Sequence, residues 1–79
     1  MARLRLFGPA REAAGGVAQV TITAPTVSGV MAAAEAQFGP SFARVVSTSN
    51  IWLNGDVVPP DTRVNEDDEV AVIPPVSGG

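Results

Sequence analysis

Cysteine, histidine, lysine and tyrosine are all missing from this 79-residue chain. Without cysteine and histidine there is no disulfide scaffold, no thiolate or imidazole zinc site, and no Cys–His or Ser–His–Asp machinery. Without lysine there is no Schiff-base chemistry. Positive charge is also scarce: five arginines face eight acids, for a net charge of -3. A general nucleic-acid binder needs a basic face, and this composition does not supply one. Long apolar runs are missing too. No segment approaches the roughly 18 residues of a membrane span, and Met1-Ala2-Arg3-Leu4-Arg5-Leu6-Phe7 alternates charge with leucine where an export signal has an apolar core. The expectation is a cytoplasmic protein with no membrane partner.

What is present suits one small globular domain: 46% of the residues are hydrophobic. A domain this size is marginally stable by core burial alone, so a partner subunit would help. Residues 3–7 read as a strand with Leu4 and Leu6 on one face and Arg3, Arg5 and Phe7 on the other. Gly8-Pro9 ends it, and Ala10 to Gly16 reads as a loop with a helical turn through Arg11-Glu12-Ala13-Ala14. Val17 to Thr23 alternates as a second strand. Thr26 is placed to cap a helix whose stripe is Val27, Val30, Met31, Ala34 and Phe38, with Gly39 as C-cap and Pro40 as the stop. Gly29 weakens that helix by about 1 kcal/mol relative to alanine, so it depends on packing. Ser41 to Val46 suggests one more short turn carrying Phe42, Val45 and Val46.

Ile51-Trp52-Leu53, Asn54-Gly55 and Asp56-Val57-Val58 make the strongest hairpin signal in the chain. Pro59-Pro60 stops its second arm, Asn65 to Asp68 is an acidic turn, and Glu69 to Ile73 is the last strand. The first and last strands are the most apolar and are expected at the sheet centre. One main helix packed on one face of a small mixed sheet gives a two-layer α+β fold over residues 1–73, followed by an extended tail at 74–79.

Few side chains offer chemistry. Glu66-Asp67-Asp68-Glu69 lacks the acid spacing and glycine of a calcium loop, so a solvated turn or docking patch is expected, with no metal. Arg11 and Glu12 read as a surface ion pair or loop cap, and Gly15-Gly16 as a turn. Trp52 and Phe7 read as core or half-buried sheet residues. Both parities of the last strand are apolar while one helix covers only one face, so Ala71 and Ile73 with Phe7 suggest an exposed partner surface. The tail is the informative part. Six extended residues span roughly 20 Å. Pro74 and Pro75 stiffen the root, and Gly78-Gly79 has no Cβ to obstruct a narrow channel or shield the terminal carboxylate.

The tail with its strand, Asp68-Glu69-Val70-Ala71-Val72-Ile73-Pro74-Pro75-Val76-Ser77-Gly78-Gly79, resembles the C-terminal signature of molybdopterin synthase small subunits, within the MoaD/ThiS family of ubiquitin-like sulfur carriers. Leu6-Phe7-Gly8-Pro9-Ala10-Arg11-Glu12-Ala13-Ala14-Gly15 and Leu53-Asn54-Gly55-Asp56 resemble it as well. The resemblance covers essentially the whole chain and implies the β-grasp fold. It also implies a function. An ATP-dependent activating enzyme adenylates the Gly79 carboxylate, a sulfur donor converts it to a thiocarboxylate, and the tail enters the large synthase subunit to sulfurate a cyclic pyranopterin phosphate. On this reading the chain binds no cofactor itself, ATP being used by the partner. Gly79 is the reactive position, and Phe7, Ile73, Pro74, Pro75, Val76, Ser77 and Gly78 contact partners. The resemblance suggests a two-plus-two heterotetramer. Ile73 departs from the family, which often has an aromatic there. Other readings are a carrier for thiamine or cysteine synthesis, a ubiquitin-like protein modifier, and an interaction module with an inert tail.

Overall fold

Alternation in the first seven residues becomes strand β1 (Ala2–Leu6), with Ala2, Leu4 and Leu6 buried and Arg3 and Arg5 exposed. The computed structural model describes residues 2–75 of the chain. After β1, Gly8 takes a positive φ of 52° and Pro9 opens helix α1 (Pro9–Ala13). The helical turn expected in this loop therefore starts earlier than Arg11. Proline is favoured at a first helical position because its missing N–H would have no intrahelical acceptor there. Strand β2 (Gln19–Ile22) follows, shorter than the expected Val17 to Thr23.

Helix α2 (Val27–Phe38) begins at Thr26, whose Oγ1 accepts the Gly29 amide at 3.1 Å. The next exposed donors are met from the loop after the hairpin. The Val27 N–H donates to the Thr62 carbonyl at 2.9 Å, and that of Ser28 donates to Pro60 at 2.8 Å. The first three helical N–H groups are thus all met. Gly29 has a packing reason for its place: a Cβ there would stand 3.2 Å from Ala24 Cβ and 3.3 Å from Thr26 Oγ1. The chain needs this close approach to turn from Ala24-Pro25 into the helix.

Pro40 does not simply stop the chain. It sits at the start of α3 (Pro40–Ser47), an eight-residue helix, where a shorter turn was expected. Phe42 is completely buried, and its ring stands 5.1 Å from that of Phe38. The Ser47, Thr48 and Ser49 hydroxyls donate to carbonyls of the last turn, closing the helix end. Among the described residues the sheet is therefore covered by three helices, where one main helix was expected.

Strand β3 (Asn50–Leu53) and strand β4 (Asp56–Val57) form the hairpin. Asn54 and Gly55 both have positive φ, 50° and 88°, as a two-residue turn of this kind requires. Strand β5 (Glu69–Ile73) completes a mixed sheet of order β2-β1-β5-β3-β4. It runs parallel to β1, pairing Leu4 with Val70 and Leu6 with Val72, and antiparallel to β3, pairing Ile51 with Val72 and Trp52 with Ala71. The expected central placement of the first and last strands holds. Leu4, Leu6, Val70 and Val72 meet Ala10 and Ala14, Val27, Val30, Met31 and Ala34, and Phe42 in one buried cluster.

The acidic turn is fastened to the hairpin. Asn54 Nδ2 donates to Asp68 Oδ1 at 2.9 Å, Asn54 Oδ1 accepts the Glu69 amide at 2.9 Å, and the Asn54 amide donates to the Glu69 carbonyl at 2.8 Å. Asp68 Oδ2 accepts the Asn65 amide at 2.7 Å. The Asn65 backbone bond first, and then the Asn54 side chain, hold the Asp68 carboxyl below its ordinary value of 3.8. A lowered native pKa means that the unfolded chain binds the proton more readily. The contribution is present at neutral pH and is lost as pH falls below that value. Urea midpoints are expected to drop on acidification through this window, and Asp68→Asn is expected to flatten that part of the profile. In the core, Phe42→Ala is expected to cost about 3–5 kcal/mol, read as a large fall in the urea midpoint at unchanged m-value.

Candidate functional site

A protein with so few reactive side chains directs attention to where its backbone leads. The strand that leads to the tail is the middle one of the sheet. β5 has hydrogen-bonded neighbours on both sides up to the pairs Leu6–Val72 and Asn50–Ile73. Pro74 and Pro75 then end the ladder, since neither carries an N–H to continue it. Pro74 is half-buried and Pro75 exposed. The root of the tail is therefore set by the most firmly held strand of the domain. Val76, Ser77, Gly78 and Gly79 lie outside the described residues.

Around that root the sheet face turned away from the helices carries an apolar surface. Phe7, one residue beyond β1, is 41% exposed. Ala71 and Ile73 on β5 and Trp52 on β3 are half-buried, and Val57 beside Trp52 is 69% exposed. Ala71 lies opposite Trp52 in the β3–β5 register and opposite Arg5 in the β1–β5 register. The structure thus brings Phe7 and Ile73 to one end of the sheet, the end from which Pro74 departs. It adds Trp52 and Val57, which reading strand by strand did not group with them. Register was the missing information: alternation assigns a face within a strand but not which residues of other strands stand beside it.

Arg5 borders this surface. Its guanidinium lies 5.5 Å from the Phe7 ring centroid and 3.6 Å from Glu69 Oε1. The ion pair is largely solvent-exposed, so it orders the Arg5 side chain more than it stabilises the fold. Trp52 Nε1 is buried without an acceptor among the described residues. The loop after α1 closes on backbone groups: the Arg11 and Glu12 carbonyls accept the amides of Gly16 and Gly15 at 2.9 and 3.0 Å, bonds in which neither side chain takes part.

On the helical side a groove of about 440 Å³ lies between α2 and the β3–β4 hairpin. Val27, Met31, Ile51 and Val58 line it, with Ser28 and Glu35 as its polar groups. One hydroxyl and one carboxylate on separate turns make no nucleophile–base pair with an orienting third group. Among the described residues no group of three or more acidic side chains converges as a metal site, and no helix is long and apolar enough to cross a membrane.

Comparison with known proteins agrees with this geometry. The model of the ThiS family matches residues 4–79. No curated protein matches the chain significantly. Among solved structures, small archaeal modifier protein 1 from Methanosarcina acetivorans superposes with a TM-score of 0.87 at 25% identity, covering 99% of this chain and 95% of the other. A putative molybdopterin converting factor subunit 1 from Pyrococcus furiosus gives 0.82 at 26% identity, covering 95% and 97%. A complex of subunits 1 and 2 of the molybdopterin-converting factor from Helicobacter pylori contains the same fold, with a TM-score of 0.74 at 23% identity and coverage of 99% and 97%. With a family match over nearly the whole chain and a central strand that leads into its Pro-Pro-Val-Ser-Gly-Gly segment, the protein belongs to the ThiS family, the ubiquitin-like sulfur carriers of β-grasp fold.

Proposed function

We propose that this sulfur carrier is the small subunit of molybdopterin synthase and that Gly79 carries the sulfur. The observation that supports this reading best is the run from β5 into Pro74-Pro75-Val76-Ser77-Gly78-Gly79, in a family match that extends through Gly79. The Pyrococcus neighbour named as a molybdopterin converting factor subunit points the same way. A carboxylate is a poor electrophile. Attack of the Gly79 carboxylate on the α-phosphate of ATP, catalysed by an activating enzyme, releases pyrophosphate and leaves an acyl adenylate. A sulfur donor delivering sulfur at the sulfide level displaces AMP and leaves a thiocarboxylate. In the large subunit that sulfur passes to a cyclic pyranopterin phosphate. The acid–base and phosphate-binding groups for these steps come from the partners, since this chain has no histidine or lysine.

Within this reading each part of the site has a task. The paired prolines reduce the freedom lost when the tail docks. The last two glycines pass a narrow channel. Phe7, Ile73, Trp52 and Val57 give the partner an apolar surface beside the tail root. Aromatic residues of this kind dominate such contacts when desolvated.

A second reading has its own support in the neighbour named as a modifier protein. There the same adenylate reacts with a lysine of another protein and forms an isopeptide. This chain has no lysine, so it cannot build chains of itself. A carrier serving thiamine or cysteine synthesis would share the thiocarboxylate and differ only in the acceptor enzyme.

Intact mass after incubation with the activating enzyme, ATP and a sulfur donor is expected to rise by the difference between sulfur and oxygen. No change, under conditions that charge a known carrier, would overturn the carrier role. Deleting Gly79 is expected to abolish charging while leaving the urea midpoint unchanged. Supplying the charged protein with pterin precursor and the large synthase subunit separates the branches: molybdopterin is the expected product, and none appears if the protein serves another pathway. Ile73→Asp, which places a charge on the apolar face, is expected to weaken association with the large subunit at least ~10-fold through desolvation. Titration calorimetry showing unaltered affinity would remove Ile73 from the interface.

A further inference from the structure

The two edges of the sheet are built differently. The β4 edge is two residues long, includes Asp56, and runs into Pro59-Pro60. Charge, brevity and proline are the usual protections against edge-to-edge pairing. The β2 edge, four residues long, has neither charge nor proline. Gly16-Val17-Ala18-Gln19-Val20-Thr21-Ile22-Thr23-Ala24 contains no proline and no charged residue, and no charge occurs anywhere from Ala13 to Ala34.

Its free hydrogen-bonding groups follow from the register. β2 pairs antiparallel with β1: Arg5 with Gln19, Leu4 with Val20, Arg3 with Thr21 and Ala2 with Ile22. The Leu6 amide donates to the Ala18 carbonyl at 2.9 Å, so Ala18, Val20 and Ile22 are the residues bonded to β1. The Arg3 amide instead turns to the Asp68 carbonyl at 3.0 Å, as the alternation demands. Gln19 and Thr21 therefore direct their N–H and C=O groups out of the sheet, and no partner takes them among the described residues.

We propose that this edge pairs antiparallel with the same edge of a second copy of the chain, about a two-fold axis at Val20. In that register Gln19 of each copy faces Thr21 of the other, and both pairs are of the hydrogen-bonded kind. Val20 meets its counterpart on the helical face, in a closer pair without hydrogen bonds. Ile22, buried in its own core, stands opposite Ala18 of the other copy, which is exposed in the single chain. The contact is self-complementary, as a two-fold interface must be. It is also electrostatically permitted. Two molecules of net charge -3 repel each other generally, but the strands brought together are uncharged. The result is a continuous ten-strand sheet. The two β5 strands lie five strand spacings apart, roughly 24 Å. Pro74 and the surface around Ile73 and Trp52 remain free in both copies, so pairing at β2 leaves the proposed sulfur-carrier site unobstructed.

The absence of native cysteine allows a direct test with the full chain. Val20→Cys places two sulfurs across the axis, where a Cα separation of about 4.5 Å suits a disulfide. It is expected to oxidise to a covalent dimer, whereas Thr21→Cys, facing Gln19, is not. Sedimentation equilibrium of the unmodified protein is expected to show a concentration-dependent dimer. Thr21→Lys should weaken it at least ~10-fold by charging the edge. Thr21→Pro removes only an outward N–H, leaves the β1 ladder intact, and should do the same. The proposal is overturned by a protein monomeric throughout the concentration series, by a dimer indifferent to Thr21→Lys and Thr21→Pro, or by equal crosslinking of the two cysteine variants. Capture of an extended peptide of another protein at this edge, with no self-association, would also overturn it.

Discussion

Every other part of the molecule depends on the placement of β5 between β1 and β3. Hydrogen bonds hold it from both sides, and Val70 and Val72 are wholly buried beneath the helices. Its neighbours supply the complementary layer, Leu4 and Leu6 on one side and Ile51 and Leu53 on the other. The helices then have one continuous apolar floor on which to pack. Moving β5 by one residue would exchange Val70 and Val72 for Ala71 and Ile73 and would leave Phe42 and Val30 without their contacts. The same placement gives the tail its fixed origin. A segment delivered from a loosely held edge strand would leave the domain in many directions, while Pro74 and Pro75 leave from the middle of the sheet in a single direction.

The side of the sheet away from the helices accounts for the unusual composition. With both parities of β5 apolar, the domain keeps an apolar surface around Ala71, Ile73 and Trp52 that none of its helices covers among the described residues. Small size makes this affordable only in part, and the polar fastenings matter accordingly. Asn54, Asp68 and Glu69 tie the hairpin turn to the start of β5, and the loop through Pro60 and Thr62 closes the first turn of α2. These bonds join segments distant in sequence. They make the sheet and helix layers one unit without adding to a core that is small at this chain length.

Much of the fold was legible in the residues themselves. The alternation of β1, the Asn-Gly hairpin, the limits of β5 and the Thr26 cap all follow from local chemistry acting over a few positions. What local reading leaves out turns on prolines. β1 and α2 do end before Pro9 and Pro40, as those residues predict, but each proline also opens a further helix, because the same fixed φ and missing N–H serve both purposes. Which purpose applies depends on whether a buried residue follows at helical spacing. Phe42 supplies it for α3, and Ala10 and Ala14 for α1. The contact of Asn54 with Asp68 was invisible for a different reason: it joins two turns that only the completed sheet brings together. At the site, the grouping of Phe7 with Ile73 was readable from parity, whereas Trp52 and Val57 needed the β3–β5 register. Gly29, unfavourable in a helix by propensity, leaves the room that Ala24 and Thr26 occupy.

Parallel pairing of β1 with β5 also has a kinetic consequence. Arg3 finds its sheet partner at Glu69, near the opposite end of the chain. Such a nonlocal closure is slow and late, because almost the whole polypeptide must be available before the central ladder can form. A nascent or truncated molecule without β5 lacks the strand on which the helices and the hairpin pack. Structural maturity and possession of the tail therefore arrive together. Under the proposed function, an activating enzyme that recognised the folded sheet surface would meet only chains already carrying Gly78-Gly79.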